Sequence, residues 1–166
     1  MKAANMSEVT IRSIKKEDNA PLAAIIRGVI EEFGAPRQGT VYSDASTDDL
    51  YTLFQAPGSE LKVVEVRGEP AGCGGIYPTA GLPEGCCEFV KFYLAAPARG
   101  KGTGRQLLEQ CLAAARALGY TQVYLESIPE FSTAVGLYRK LGFEPLPGPM
   151  GDSGHFSCDI WMLKQL

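Results

Sequence analysis

The 166-residue sequence predicts a mixed α/β domain, with a mostly antiparallel sheet flanked by helices, and three observations carry that expectation. Between Leu61 and Ala95 three apolar runs follow one another through short Gly/Pro turns, which implies an antiparallel meander. Apolar residues recur at helical spacing around Leu22–Phe33, Leu107–Leu118 and Ala134–Leu141. After Pro97 helices and strands alternate, with no internal repeat, low-complexity tract or shift of composition. One domain over 8–166 is therefore expected, preceded by a flexible segment 1–7.

Taken in order, Val9–Ile14 alternates as a first strand. Asp18 or Asn19 can cap a helix with Pro21 in its first turn, and Gly34 closes it. Ala35–Ala45 reads as loop, and Ser46-Thr47-Asp48-Asp49 as the cap of a short helix through Leu50, Leu53 and Phe54. Leu61–Arg67 and Ala71–Thr79 form a hairpin around Gly68-Glu69-Pro70, and Cys86–Ala95 follows as a third strand. The helix holding Leu107, Leu108, Cys111, Leu112, Ala115 and Leu118 stops at Gly119; a strand covers Thr121–Ile128; the next helix stops at Gly142. Phe143–Leu146 and a last strand near Phe156–Leu163 complete the chain.

Composition excludes several classes. Apolar residues make up 45 %, enough for a core, so wholesale disorder is ruled out. A net charge of −3 argues against a general nucleic-acid or membrane-surface binder, though it allows a local basic patch. Arg27 breaks one long apolar stretch, and Glu109 and Arg116 break the other, so neither makes the roughly 20 apolar residues of a membrane span. No signal peptide is visible, and five cysteines without framework spacing fit free thiols in a cytoplasmic protein. His155 and Cys158 are three residues apart on an expected strand and point opposite ways, so no metal site is expected.

The 19 glycines matter for where they fall. Arg99-Gly100-Lys101-Gly102-Thr103-Gly104 lies between a strand and a helix, where converging backbone N–H groups and the helix N-terminus favour an anion. Arg99, Lys101 and Arg105 add positive charge, so the loop suits a pyrophosphate; a Gly-rich turn without ligand is the alternative. A P-loop is excluded because Gly102 follows Lys101, and a dinucleotide fingerprint because Arg105 stands where its last Gly belongs. On the third meander strand, alternation puts Cys86, Glu88, Val90, Phe92 and Leu94 on one face. Glu88 is then a carboxylate in apolar surroundings, whose pKa rises toward that of a useful base; a solvated or salt-bridged strand carboxylate is the plainer reading.

Arg99-x-x-Gly102-x-Gly104 resembles the acetyl-CoA loop of the GCN5-related N-acetyltransferase (GNAT) superfamily, Gln/Arg-x-x-Gly-x-Gly/Ala, and Leu137-Tyr138-Arg139-Lys140-Leu141-Gly142-Phe143 resembles its Leu-Tyr-x-Lys-x-Gly-Phe segment. Element order agrees from about Glu8 to Leu166. The resemblance implies an acetyl-CoA-dependent N-acetyltransferase acting by direct transfer in a ternary complex on a small-molecule or peptide amine, without nucleic acid, membrane or metal. A non-catalytic acyl-CoA-binding or sensing module is the alternative.

By the same resemblance, Arg99, Gly100, Lys101, Gly102, Thr103, Gly104 and Arg105 bind the pyrophosphate. Backbone groups of Phe92, Tyr93 and Leu94 pair with the pantetheine arm, and one N–H is left for the thioester oxygen. Tyr138 donates a proton to the departing sulfur, with an edge-of-core Tyr as the alternative. Glu88, eleven residues before Arg99 as in histone-type members, is the general base, although many relatives deprotonate through water chains. Where relatives often carry Asn, this chain has Phe131, with Ser132 a partial substitute. Acceptor-side candidates are Tyr42, Asp44, Glu126, Ser127, His155 and Asp159; each could equally be an ordinary loop or strand-end group, and His155 is also an alternative base. The C-terminal edge strand would allow a homodimer.

Overall fold

A computed structural model describes residues 8–166; the segment 1–7, expected to be flexible, lies outside the described residues. Seven strands form one sheet: β1 (Val9–Ser13), β2 (Glu60–Val66), β3 (Glu69–Tyr77), β4 (Cys86–Leu94), β5 (Gln122–Ser127), β6 (Glu144–Pro145) and β7 (Ile160–Gln165). Four α-helices flank it: α1 (Asn19–Glu32), α2 (Leu50–Leu53), α3 (Thr103–Ala117) and α4 (Ser132–Lys140). Spatial order is β1-β2-β3-β4-β5-β7-β6, and only the β4–β5 pair is parallel. The expected mixed, mostly antiparallel sheet is what forms.

Helix ends follow the glycines. Gly34, Gly119 and Gly142 have φ of 65°, 89° and 93°, a left-handed conformation that costs residues with a Cβ. The N–H of the next residue in each case returns to the last turn, as in Phe143 N to Tyr138 O at 3.0 Å. The start of α1 differs from expectation. Asp18 occupies the cap position, but its carboxylate accepts from Lys15 N and from both terminal nitrogens of Arg12 instead. Asn19 donates to Asp49 and accepts from Tyr51 N, tying α1 to α2.

The sheet buries both faces. Leu22, Ile26 and Ile30 of α1 pack with Leu50, Val63 and Cys73 on one side. Leu107, Leu108 and Cys111 of α3 and Val135 and Tyr138 of α4 pack with Val64, Ile76 and Leu125 on the other. Adjacent Val63 and Val64 serve opposite cores, the period-2 behaviour of a strand covered on both faces.

Two strand expectations are corrected. β7 begins at Ile160, not near Phe156, which sits in the preceding loop and is 80 % exposed. The face assigned to β4 is also wrong beyond Val90. Gly75 pairs with Val90 and Cys73 with Tyr93, so Gly74 alone opposes both Lys91 and Phe92. This is a β-bulge, with Lys91 at φ 59°. The extra residue turns Phe92 and Leu94 to the α3/α4 side beside Phe89, while Val90 and Tyr93 face α1.

Candidate active site

The parallel β4–β5 ladder stops at Glu88↔Tyr124, although β4 continues to Leu94 and β5 to Ser127. Past that point the strands part, and a cavity of about 680 Å³ opens between them. Its walls include the β4 edge from Glu88 to Leu94, the 99–105 loop, the first turns of α4, and Tyr138. A smaller cavity of about 210 Å³ lies toward the 44–53 and 152–155 segments. Glu88, Val90, Lys91 and His155 line both.

The Gly loop forms the cradle at one end of the larger cavity. Gly100 and Gly102 take φ of 75° and 74°, and Gly102 caps α3. The first intrahelical bond runs from Gln106 N to Gly102 O, which leaves the N–H groups of Thr103, Gly104 and Arg105, residues that line the cavity, without a backbone acceptor among the described residues. Gly104 has a packing reason as well, since a Cβ there would come within 3.2 Å of Phe92. The loop's cations do not stand free as the sequence suggested. Arg99 grips Glu32 at 2.5 and 3.0 Å, donates Nε to Leu94 O, and lies over Phe33. Lys101 pairs with Glu8 and Arg105 with Glu109. The anion-binding capacity of the loop therefore rests on backbone N–H groups more than on net side-chain charge.

Glu88 is 4 % exposed, and burial pushes its carboxyl up to about 7, against a Thr79 hydroxyl that donates to Oε1 at 2.6 Å. Glu126, which also lines the larger cavity, adds to the upward push. Glu126 itself accepts from Tyr124 Oη at 2.6 Å and from the Ser153 hydroxyl. Tyr138 sits among the rings of Phe89, Phe92 and Phe143 with centroids 5.9–6.1 Å away. Burial alone raises its pKa, with no hydrogen bond contributing among the described residues. The raised pKa keeps the phenol protonated, so its O–H can donate a hydrogen bond into the cavity.

The acceptor-side candidates separate. Asp44 and His155 come together, with His155 Nε2 2.7 Å from Asp44 Oδ2, and both line the smaller cavity. Burial would raise the Asp44 pKa, but His155 and Lys91 outweigh it and hold the carboxylate below its usual value. Ser127 lines the larger cavity. Tyr42 and Asp159 line neither: the Tyr42 hydroxyl donates to Glu31 with Arg37 over its ring, and Asp159 is exposed. Ser132 opens α4 on the cavity wall, while the Phe131 ring packs edge-on against Phe33 and Tyr93. Thr79 and Lys91 were missed. Simple alternation put Lys91 on the opposite face from Glu88, and the Gly74-Gly75 pair in the partner strand was the one trace of the bulge that changes this.

Comparison with known proteins accords with this geometry. Residues 26–143 match the Acetyltransferase (GNAT) family. The chain is 36 % identical over 157 residues to an uncharacterized N-acetyltransferase, YjgM, of Escherichia coli (strain K12), covering 94 % of both chains. It is 34 % identical over 150 residues to an IAA acetyltransferase of Azospirillum brasilense, covering 89 % of this chain and 94 % of the other. Among solved structures, yncA, a putative acetyltransferase of Salmonella typhimurium with its cofactor acetyl-CoA, superposes with a TM-score of 0.76 at 22 % identity, over 96 % of this chain and 95 % of that one. The parted strands, the Gly-capped helix and the match across most of the sequence make this chain a member of the GNAT acetyltransferase family.

Proposed function

We propose that the chain moves an acetyl group from acetyl-CoA to a primary amine by direct attack within a ternary complex. The observation that carries this reading is the parting of β4 from β5 immediately beyond Glu88, which leaves one buried carboxylate between a large cavity and a small one. Acetyl-CoA would supply an activated thioester. The N–H groups at the start of α3 suit its pyrophosphate, and the unpaired β4 edge at Phe92, Tyr93 and Leu94 suits the amides of its pantetheine arm in the manner of an added strand. Ser132 offers a further hydroxyl along that wall.

Glu88 takes a proton from the arriving ammonium, because an alkylammonium with a pKa of about 10 is not a nucleophile at neutral pH. A carboxyl at about 7 is near the point where a base is both ionised and able to hold a proton. As the N–C bond forms and the C–S bond breaks, Tyr138 gives its proton to the sulfur and regains one from the acylated nitrogen, while Glu88 passes its proton to solvent. Overall, an ammonium and a thioester become an amide, a thiol and one proton released to solvent. Asp44 and His155 flank the acceptor side.

Purified protein with acetyl-CoA and a broad amine panel should release free thiol, and Glu88→Gln and Tyr138→Phe should each suppress it. Acetyl-CoA binding without thiol release from any amine would instead mark a CoA-binding or sensing module.

A further inference from the structure

Resting on the acetyltransferase reading, we propose that the acceptor is a small zwitterion, an amine that also carries an acid group, and that Lys91 reads the acid. The smaller cavity, at about 210 Å³, has room for a compact group beside Glu88 and Lys91, which also line the larger cavity.

Lys91 projects into this chamber from the β4 bulge, and its side chain is only 7 % exposed. Its sole ion partner among the described residues is Asp44 Oδ2 at 3.8 Å, longer than a hydrogen bond. That same oxygen is already engaged by His155 Nε2 at 2.7 Å. An ammonium has three donors, and Nζ is not sealed off, because no enclosed side-chain nitrogen among the described residues lacks a partner; its donors open onto the chamber, where a ligand can meet them. An acid group brought by the acceptor would do so. Burial pulls the Lys91 pKa down, and such a group would restore it.

The remaining charges exclude simpler ligands. Asp44 and Asp152, joined by Glu88 when it is ionised, outweigh the Lys91 ammonium around the chamber, so an anion lacking an amine meets net repulsion. A plain cation meets the Lys91 ammonium. A zwitterion meets neither obstacle: its ammonium faces Glu88, the base, and its acid faces Lys91. The bulge makes this arrangement, because without the extra residue Lys91 would sit on the other face from Glu88.

The test compares matched acceptors with the wild-type chain: amino acids against their amides and their decarboxylated amines, by thiol release from acetyl-CoA. Loss of a charge-assisted hydrogen bond predicts a kcat/KM lower by about ten- to a hundredfold for the partners lacking the acid. Lys91→Met should abolish that preference by raising KM for the acid-bearing acceptor, and Lys91→Arg should retain part of it. Equal or better turnover of the decarboxylated amines by the wild type overturns the inference and leaves the acetyltransferase reading standing. Acetyl-CoA binding with no thiol release from any amine, acidic or not, overturns both.

Discussion

Burial that raises the Glu88 carboxyl to about 7 acts on rate and on stability in opposite directions. The folded chain keeps this proton well above 4.5, the ordinary value at which the unfolded carboxyl releases it. Between those two values the native state binds more protons, so stability falls as pH rises through the window and stays lower above it. Glu88→Gln is neutral, and its amide oxygen can still accept from Thr79. The variant is expected to be more stable than the wild type at pH 8, by on the order of 1–3 kcal/mol, with no gain at pH 4.5. Thermal melts at the two pH values check this, and a lower Tm at pH 8 would mean that the ionised carboxylate has a compensating partner. Its acetyl transfer should be slower by about 10²–10⁴-fold and lose the rise through pH 7. Tyr138→Phe keeps the ring packing against Phe89, Phe92 and Phe143 and removes only the hydroxyl. Its Tm should correspond to a change within about 0.5 kcal/mol. Thiol release should fall by about 10²-fold in stopped-time assays.

At the scale of elements, Gly102 shows why a loop can be legible in sequence while the consequence of mutating it is not. A Cβ at Gly102 meets nothing within 4 Å, so Gly102→Asp does not clash with the chain. The left-handed φ of 74° costs about 1–2 kcal/mol for a residue with a Cβ, and the added carboxylate brings negative charge into the loop proposed to hold the pyrophosphate. Calorimetric titration should therefore show acetyl-CoA affinity reduced by tenfold or more in a chain that still melts cooperatively. Full affinity would place the cofactor elsewhere. Helix stops were readable because Gly34, Gly119 and Gly142 are local signals, satisfied within one turn. The start of β7 was not, because its pairing with β5 is set more than thirty residues away and Phe156 merely looks like strand. The bulge at Lys91 was equally hidden. It arises from a mismatch between two strands, and one strand's alternation carries no record of it.

Across the whole molecule, two cores grip one sheet, and the site lies where the sheet opens between β4 and β5. Arg99 on Glu32 and the Phe33–Phe131 ring contact link α1 to the 99–105 loop and to the residue before α4 across that opening. All five cysteines are free, and burial pushes Cys73, Cys87, Cys111 and Cys158 up to about 12, so none is a ready thiolate. The Tm is accordingly expected to be the same with and without reductant; a drop on reduction would mean a disulfide contributes. Sequence alone determined the element order, the two faces of the helices, the Gly cradle and Glu88 as a carboxylate in apolar surroundings, because each depends on neighbours within a turn or a pleat. Tertiary structure decided the rest. It paired Arg99 and Lys101 with the distant carboxylates of Glu32 and Glu8, and left Tyr42 outside the cavities. It also turned Lys91 toward Asp44 and His155. Those outcomes depend on contacts between residues far apart in the chain, whose geometry is fixed only when the strands pair and part.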